Sequence, residues 1–204
     1  MKFTVNRSVF CEALKTVMNV GKSSLLTRIS GIYLCADASK RILELIGTDV
    51  ITSVVKRIRD ADISMSGEII LPPIVLEILR KTKEESVTIE TDENGALGLS
   101  FGSARYLLVT KPANEFPKSE LVFPTAYVSV TGLLPLLKHA AFAAETKGDK
   151  RELQGVTLRL TPGISTAEAM NQKRMASAVN RNAADGETEM KLHISAVNIL
   201  FSLL

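Results

Sequence analysis

Gly21-Lys22-Ser23 has the residue types that cradle a phosphate: a glycine, then a lysine and a hydroxyl. A phosphate loop also needs a glycine five residues earlier, a strand before it and a helix after it. Thr16 stands at the glycine position, and the residues before Gly21 carry a helical apolar pattern. Zinc chemistry would draw on Cys11, Cys35, His139 and His193, none of which has a partner at zinc-ligand spacing. Thr48-Asp49 offers an acid, but Asp after Thr between two strands is ordinary turn chemistry. The sequence holds no G-x-S-x-G, H-E-x-x-H or G-x-G-x-x-G, and no convergent pair of titratable groups. The expectation is a non-catalytic protein with no cofactor and no metal.

The basic residues say more. Lys15, Lys22 and Arg28 lie on or after a first apolar-periodic stretch; Arg80, Lys81 and Lys83 end a second. Lys138 and His139 lie on a third, and Lys147, Lys150 and Arg151 follow it. Each alone reads as a solvated face. Together they recur at helices and helix exits, which would make a sequence-independent track for phosphates. Aromatics are only 5% and Trp is absent, which argues against single-strand stacking platforms and leaves an aliphatic core. A formal charge of +3 does not by itself identify a polyanion partner. No apolar run is long enough to span a membrane, no signal-peptide stretch opens the sequence, and the two cysteines suit a reducing cytosol. A cytoplasmic location is expected.

The elements that position these residues follow from periodicity. The chain, at 204 residues, has room for one large domain or two of about 100 each. Phe3–Val5 alternates as a strand. Val9, Phe10, Ala13, Leu14 and Val17 mark one helical face. Ile32–Cys35, Ile42–Ile46, Val50–Ile58 and Gly67–Leu71 read as strands. Pro72-Pro73 opens a helix that buries Val75, Leu76 and Leu79. Val87–Glu90, Leu97–Phe101 and Tyr106–Thr110 form a meander, with a hairpin turn at Asp92–Gly95. After Pro112–Pro124 the order begins again. Tyr127–Val130 is a strand, Leu133–Ala144 a helix with Pro135 in its first turn, Gly155–Leu160 and Met190–Ile194 strands, and Ser195–Leu204 an apolar helix. Matching landmarks lie roughly 119–125 residues apart, a domain-sized duplication. The first copy continues into strands after its second helix, whereas the sequence stops at Leu204. The second copy is therefore expected to be incomplete, its last helix partly uncovered.

Several segments together closely resemble the bacterial DNA polymerase III β subunit, the sliding clamp. They are Met1–Val5 with Arg7, Ser30-Gly31-Ile32, Gly47-Thr48-Asp49, Gly67–Pro72, Phe101–Tyr106 and Ala113-Asn114-Glu115-Phe116-Pro117. In the second copy Leu153-Gln154-Gly155-Val156 is similar to the family's L-[TN]-G-[VM], and Ala169–Ala176 to its A-T-D-G-H-R-L-A. The resemblance implies an α+β DNA-clamp fold of repeated domains, each with two helices packed on antiparallel sheet. Residues 1–122 would form a first clamp domain and 123–204 an incomplete second, with the third absent. Complete family members are homodimers that close head-to-tail around double-stranded DNA and tether the polymerase at the primer end. DNA-binding residues would be Lys15, Lys22, Arg28, Arg80, Lys81, Lys138, Lys150 and Arg151. Short motifs from the replicative polymerase, the clamp loader and repair proteins would enter a groove formed by Leu153, Met170, Gln172, Lys173, Arg174, Met175, Ile199 and Leu200. Met170, Gln172, Lys173 and Met175 replace the family's Thr, Gly, His and Leu. The family's arginine-bearing loop is degraded at Ser23–Ile29. Tyr106 and Leu108 would sit at the subunit interface. The chain reads either as a fragment of a divergent clamp or as a shortened paralogue. The latter would be ring-deficient and act only in protein interaction.

Overall fold

The computed structural model describes residues 1–21, 31–48, 52–92, 95–117, 127–146, 149–181 and 184–203. They form two compact units, Met1–Glu120 and Leu121–Leu204. Lys22, Arg28 and the stretch from Ser23 to Ile29 lie outside the described residues, as do Asp49, Glu93, Asn94 and Lys147.

The first unit opens with strand β1 (Lys2–Asn6) and helix α1 (Arg7–Gly21). Asn6 caps the helix, its Oδ1 accepting from Ser8 N at 3.0 Å and Ser8 Oγ at 2.6 Å. Strands β2 (Ile32–Asp37), β3 (Ile42–Thr48), β4 (Ser53–Ile58), β5 (Ala61–Met65) and β6 (Gly67–Leu71) follow. Helix α2 (Ile74–Lys81) leads to β7 (Ser86–Thr91), β8 (Ala96–Phe101), β9 (Ala104–Val109) and the short β10 (Lys111–Pro112). Two antiparallel sheets result, in the orders β5-β1-β7-β8-β9 and β10-β6-β2-β3-β4.

Helix α1 turns Phe10, Ala13, Leu14, Val17 and Val20 into the core, all at most 1% exposed. Burying each large apolar side chain of this set is worth about 1.5–3 kcal/mol. Val9, expected on that face, is instead 42% exposed, one position too far round the helix. The helix seats closely on β3. A Cβ at Gly47 would lie 2.1 Å from the Val17 carbonyl oxygen, so only glycine admits this approach. On the other face of the second sheet a small cluster of Tyr33, Ile46, Ile70, Ala113 and Phe116 is buried. The Phe116 ring sits 5.5 Å from that of Tyr33, and the Tyr33 hydroxyl donates to Glu68. Burial and the Glu68 carboxylate push that phenol's pKa up. The turn from β2 to β3 is held by Asp37 Oδ1, which accepts from the N–H groups of Ser39 and Lys40 at 3.0 and 3.1 Å.

The second unit holds helix α3 (Leu133–Ala141), strands β11 (Gly155–Thr161), β12 (Ile164–Met170), β13 (Met175–Asn180) and β14 (Thr188–His193), and helix α4 (Ile194–Leu203). Its sheet runs β14-β11-β12-β13, all antiparallel, the same order as β6-β2-β3-β4. The pairing agrees too: Leu34↔Leu45 in the first unit and Leu158↔Ala167 in the second are adjacent-strand pairs buried on the helix side of their sheets. A shift of 123 carries Ala13, Leu14 and Val17 of α1 onto Leu136, Leu137 and Ala140 of α3, all buried. Helix α3 packs on β12 and β13 as α1 packs on β3 and β4. The β1-containing sheet of the first unit has no counterpart among the described residues of the second.

Three sequence expectations change. Tyr127–Val130 is not a strand: Val130 makes a single bridge to Ala184, and Tyr127 is 76% exposed. Its expected counterpart, β1, lies between β5 and β7, and no such pair of neighbours flanks Tyr127–Val130 among the described residues. The β12–β13 hairpin was not anticipated, because its inward positions are Ser165, Ala167, Ala169, Ala176 and Ala178, too small for an apolar signal. Strand β5, polar at Asp62 and Ser64, was missed similarly.

Two stability outcomes follow. Gly47→Ala is expected to cost about 1–3 kcal/mol by forcing α1 off β3, measured by urea unfolding. The Ser165 hydroxyl is fully buried with no hydrogen-bond partner among the described residues. Ser165→Ala is therefore expected to be neutral or to stabilise by up to about 1 kcal/mol, and a loss of stability would show that the hydroxyl is satisfied.

Candidate nucleic-acid interface and partner groove

In the first unit the α1–α2 pair gathers positive charge. Lys15 is exposed on α1, one helical turn beyond Cys11, and Arg80 and Lys81 are exposed in the last turn of α2. There they complement the negative end of the helix dipole. Arg7 joins the two helices. Its Nε donates to the Glu84 carbonyl at 2.7 Å and its Nη1 to the Leu79 carbonyl at 3.4 Å. Cys11 registers the result: burial pushes its thiol pKa up, while Arg7 and Arg80 pull it back. Arg7 and Arg80 thus both lie near Cys11, and Lys15 follows it one turn later on α1. Sequence reasoning left out Arg7, because a residue opening a helix reads as a local structural position.

In the second unit Lys138 is exposed on α3, at the position 123 residues beyond Lys15. The two lysines therefore occupy equivalent places on equivalent helices. Lys150 and Arg151 are exposed in the turn before β11. The parallel ends at α4, which has no basic residue in its last turn and so no match for Arg80 and Lys81.

The groove residues divide between the two faces of the second unit's sheet. Leu153, Met170 and Met175 line an open cleft of about 130 Å³ with Glu152, Gly155, Thr157, Glu168, Ala169 and Lys191. By strand alternation Thr157, Glu168 and Met170 fall on the face opposite Val156, Ala167 and Ala169. Gly155 floors the cleft: a Cβ there would lie 2.6 Å from the Leu192 carbonyl oxygen and 3.3 Å from the Lys191 stem. Gln172, Lys173 and Arg174 are exposed in the β12–β13 turn, where Asn171 Oδ1 accepts from Lys173 N and Arg174 N at 2.8 and 3.0 Å. The Arg174 guanidinium lies over the Phe142 ring, 5.5 Å from its centre, which aims it at the exit of α3. Ile199 and Leu200 do not line the cleft. They sit on α4, whose Val197 is buried in the core with α3 on the inner face, and Leu200 packs against that core. The apolar final helix was read as a groove wall because its sequence does not show which face of the sheet it covers.

Tyr106 and Leu108 lie on β9, the edge of the first sheet, with the Tyr106 ring stacked 5.6 Å from Phe101. Leu107 and Val109, on the other face of the strand, are 71% and 89% exposed. Among the described residues no group of three or more His, Cys, Asp and Glu is placed to hold a metal, and Cys11 and Cys35 are free.

Residues 1–120 match the N-terminal domain of the DNA polymerase III beta subunit. The beta sliding clamp of Synechococcus elongatus is 30% identical over 160 residues, 76% of this chain and 42% of that protein. The beta sliding clamp of Pseudomonas aeruginosa is 28% identical over 180 residues, 86% and 48% respectively. The crystal structure of the DNA polymerase III subunit beta from Pseudomonas aeruginosa superposes with a TM-score of 0.89 at 24% identity, over 100% of this chain and 56% of that one. The Bacillus subtilis sliding clamp does so with 0.89 at 21%, over 100% and 57%. The fold is that of the sliding clamps, and the chain belongs to the DNA polymerase III beta subunit family. It spans about half the length of the curated relatives it matches.

Gly155→Ala tests the cleft. The added methyl must displace Lys191 and strain β14, so a loss of about 1–3 kcal/mol in urea unfolding is expected. An unchanged midpoint would mean the floor is open.

Proposed function

We propose that the chain is sliding-clamp material, a non-catalytic tether for the replicative polymerase on duplex DNA. The observation that carries this is the pairing of Lys15 with Lys138 on equivalent exposed helix faces, reinforced in the first unit by Arg80 and Lys81. Cations on packed helices meet phosphates and leave base edges unread, so binding is sequence-independent and the contact can slide. Lys150 and Arg151 extend the basic set. The cleft at Leu153, Met170 and Met175 takes short motifs from the polymerase, the clamp loader and repair proteins. The β9 edge, with Tyr106 and Leu108, pairs with another subunit, since an open strand edge is a template for pairing.

A second reading, a ring-deficient interaction module, is favoured by the altered turn at Gln172 and Lys173. Retention on circular against linear duplex separates them. Preference for the circle marks encirclement; equal retention with motif binding intact marks the module.

Duplex affinity is expected to fall with salt at a log–log slope of about 0.9 per phosphate contacted. The triple variant Lys15→Ala, Arg80→Ala, Lys81→Ala should lower that slope by up to about 2.7. A slope unchanged by the triple substitution, or strong preference for one sequence, would count against the phosphate track.

A further inference from the structure

The face of the β10-β6-β2-β3-β4 sheet turned away from α1 carries an apolar row. Strand pairing sets Ile70 beside Tyr33, Tyr33 beside Ile46, and Ile46 beside Val55. One residue on from the helix-side pairs Leu34↔Leu45 and Leu158↔Ala167, the matching row of the second unit is Lys191, Thr157 and Glu168, which lines an open cleft. In the first unit the row is closed by the chain itself. β10 and the short turn Ala113–Glu115 cross over it, and Phe116 seats its ring 5.5 Å from that of Tyr33. Tyr33, Ile46, Ile70, Ala113 and Phe116 are buried together, with Cys35 and Val55 packed at the edge.

The hold of this strap is slight. β10 pairs with β6 only through Lys111↔Ile70 and Pro112↔Ile69, and Pro112 has no N–H to give to the ladder. Phe116 N donates to the Ala113 carbonyl at 3.1 Å, a bond inside the strap that does not tie it to the sheet. Lys111, Pro112, Asn114 and Glu115 are exposed. Ala113 and Phe116 are the buried pins, and of these Phe116 alone is large. A segment with few buried apolar side chains opens at a lower free energy than the core beneath it.

We propose that the strap is an internal ligand, a releasable latch over a latent docking site: with Lys111–Phe116 lifted, the row of Ile70, Tyr33 and Ile46 accepts an extended segment bearing an aromatic side chain from another molecule. The chemistry of that occupant is read from the strap, whose own aromatic residue, between Glu115 and Pro117, fills the place at rest. Uncovered, the row would present an apolar patch to water, so the site is closed at rest. An outside segment must compete with the strap, and its apparent affinity is reduced by the fraction of chains that are open.

Hydrogen exchange of the full chain, read by mass spectrometry, is compared in the wild type, Phe116→Ala and Phe116→Leu. Loss of the ring in Phe116→Ala should speed exchange of residues 111–117 by about 10- to 100-fold, the equivalent of one buried aromatic side chain, with α1 unchanged. A fluorescent heptapeptide with the sequence of residues 111–117 should bind Phe116→Ala, and should bind the wild type more weakly by about ten-fold or more. The same peptide with alanine in place of its phenylalanine should not bind the variant. Acceleration of α1 together with the strap, or of neither, would overturn the latch. Failure of the heptapeptide to bind Phe116→Ala, or equal binding to wild type and variant, would overturn the docking site. If Phe116→Ala does not fold, Phe116→Leu makes the same comparison, with a smaller factor and the same order of affinities.

Discussion

The seating of α1 on β3 at Gly47 governs what the first unit can present to a partner. With the Val17 carbonyl where a side chain would otherwise be, the helix has one depth and one rotation available. Phe10, Ala13, Leu14 and Val17 are then committed to the core, and Lys15 is left in solvent. Packed interiors do not deform continuously, so a helix pinned in this way holds its outer face as firmly as its inner one. The second unit reaches the same outcome with different residues: Leu136, Leu137 and Ala140 go inward and Lys138 outward.

A basic helix face is useful for DNA only if its charges are free to meet phosphates. Lys15, Arg80 and Lys81 make no ion pair with a carboxylate among the described residues. Arg7 differs, being spent on the carbonyls at the end of α2, where it sets the relation of the two helices. By contrast two cations in the cleft beside β3 are paired, Arg57 with Glu44 at 2.7 Å and Lys40 with Asp37 at 3.2 Å.

The sequence showed the helices plainly, because α1, α2 and α3 bury Leu, Val and Phe at helical spacing. It showed the duplication because glycines and strands recur in order. It did not show β12 and β13, whose inward residues are mostly alanine, nor β5, whose existence depends on β1 lying alongside. Among the site residues, Leu153, Met170 and Met175 were found through resemblance to a motif and do line one cleft. Ile199 and Leu200 were grouped with them, yet the choice of sheet face for α4 is made by Val197 packing with α3, a tertiary fact. Glu168 and Lys191 drew no notice, since a lone charge in an alternating strand looks like any solvated position. Arg174 kept its place in the motif, but its partner Phe142 lies 32 positions earlier in the chain.

The central claim is that DNA meets the exposed lysines of α1, α2 and α3. Lysine acetylation footprinting of the full chain, with and without duplex DNA at low salt and read by mass spectrometry, measures this directly. The account predicts protection of Lys15, Lys81 and Lys138, with Lys40 in the charged cleft of Glu44 and Arg57 left as reactive as in the free protein. Protection of Lys40 with Lys15 and Lys138 unprotected would contradict it.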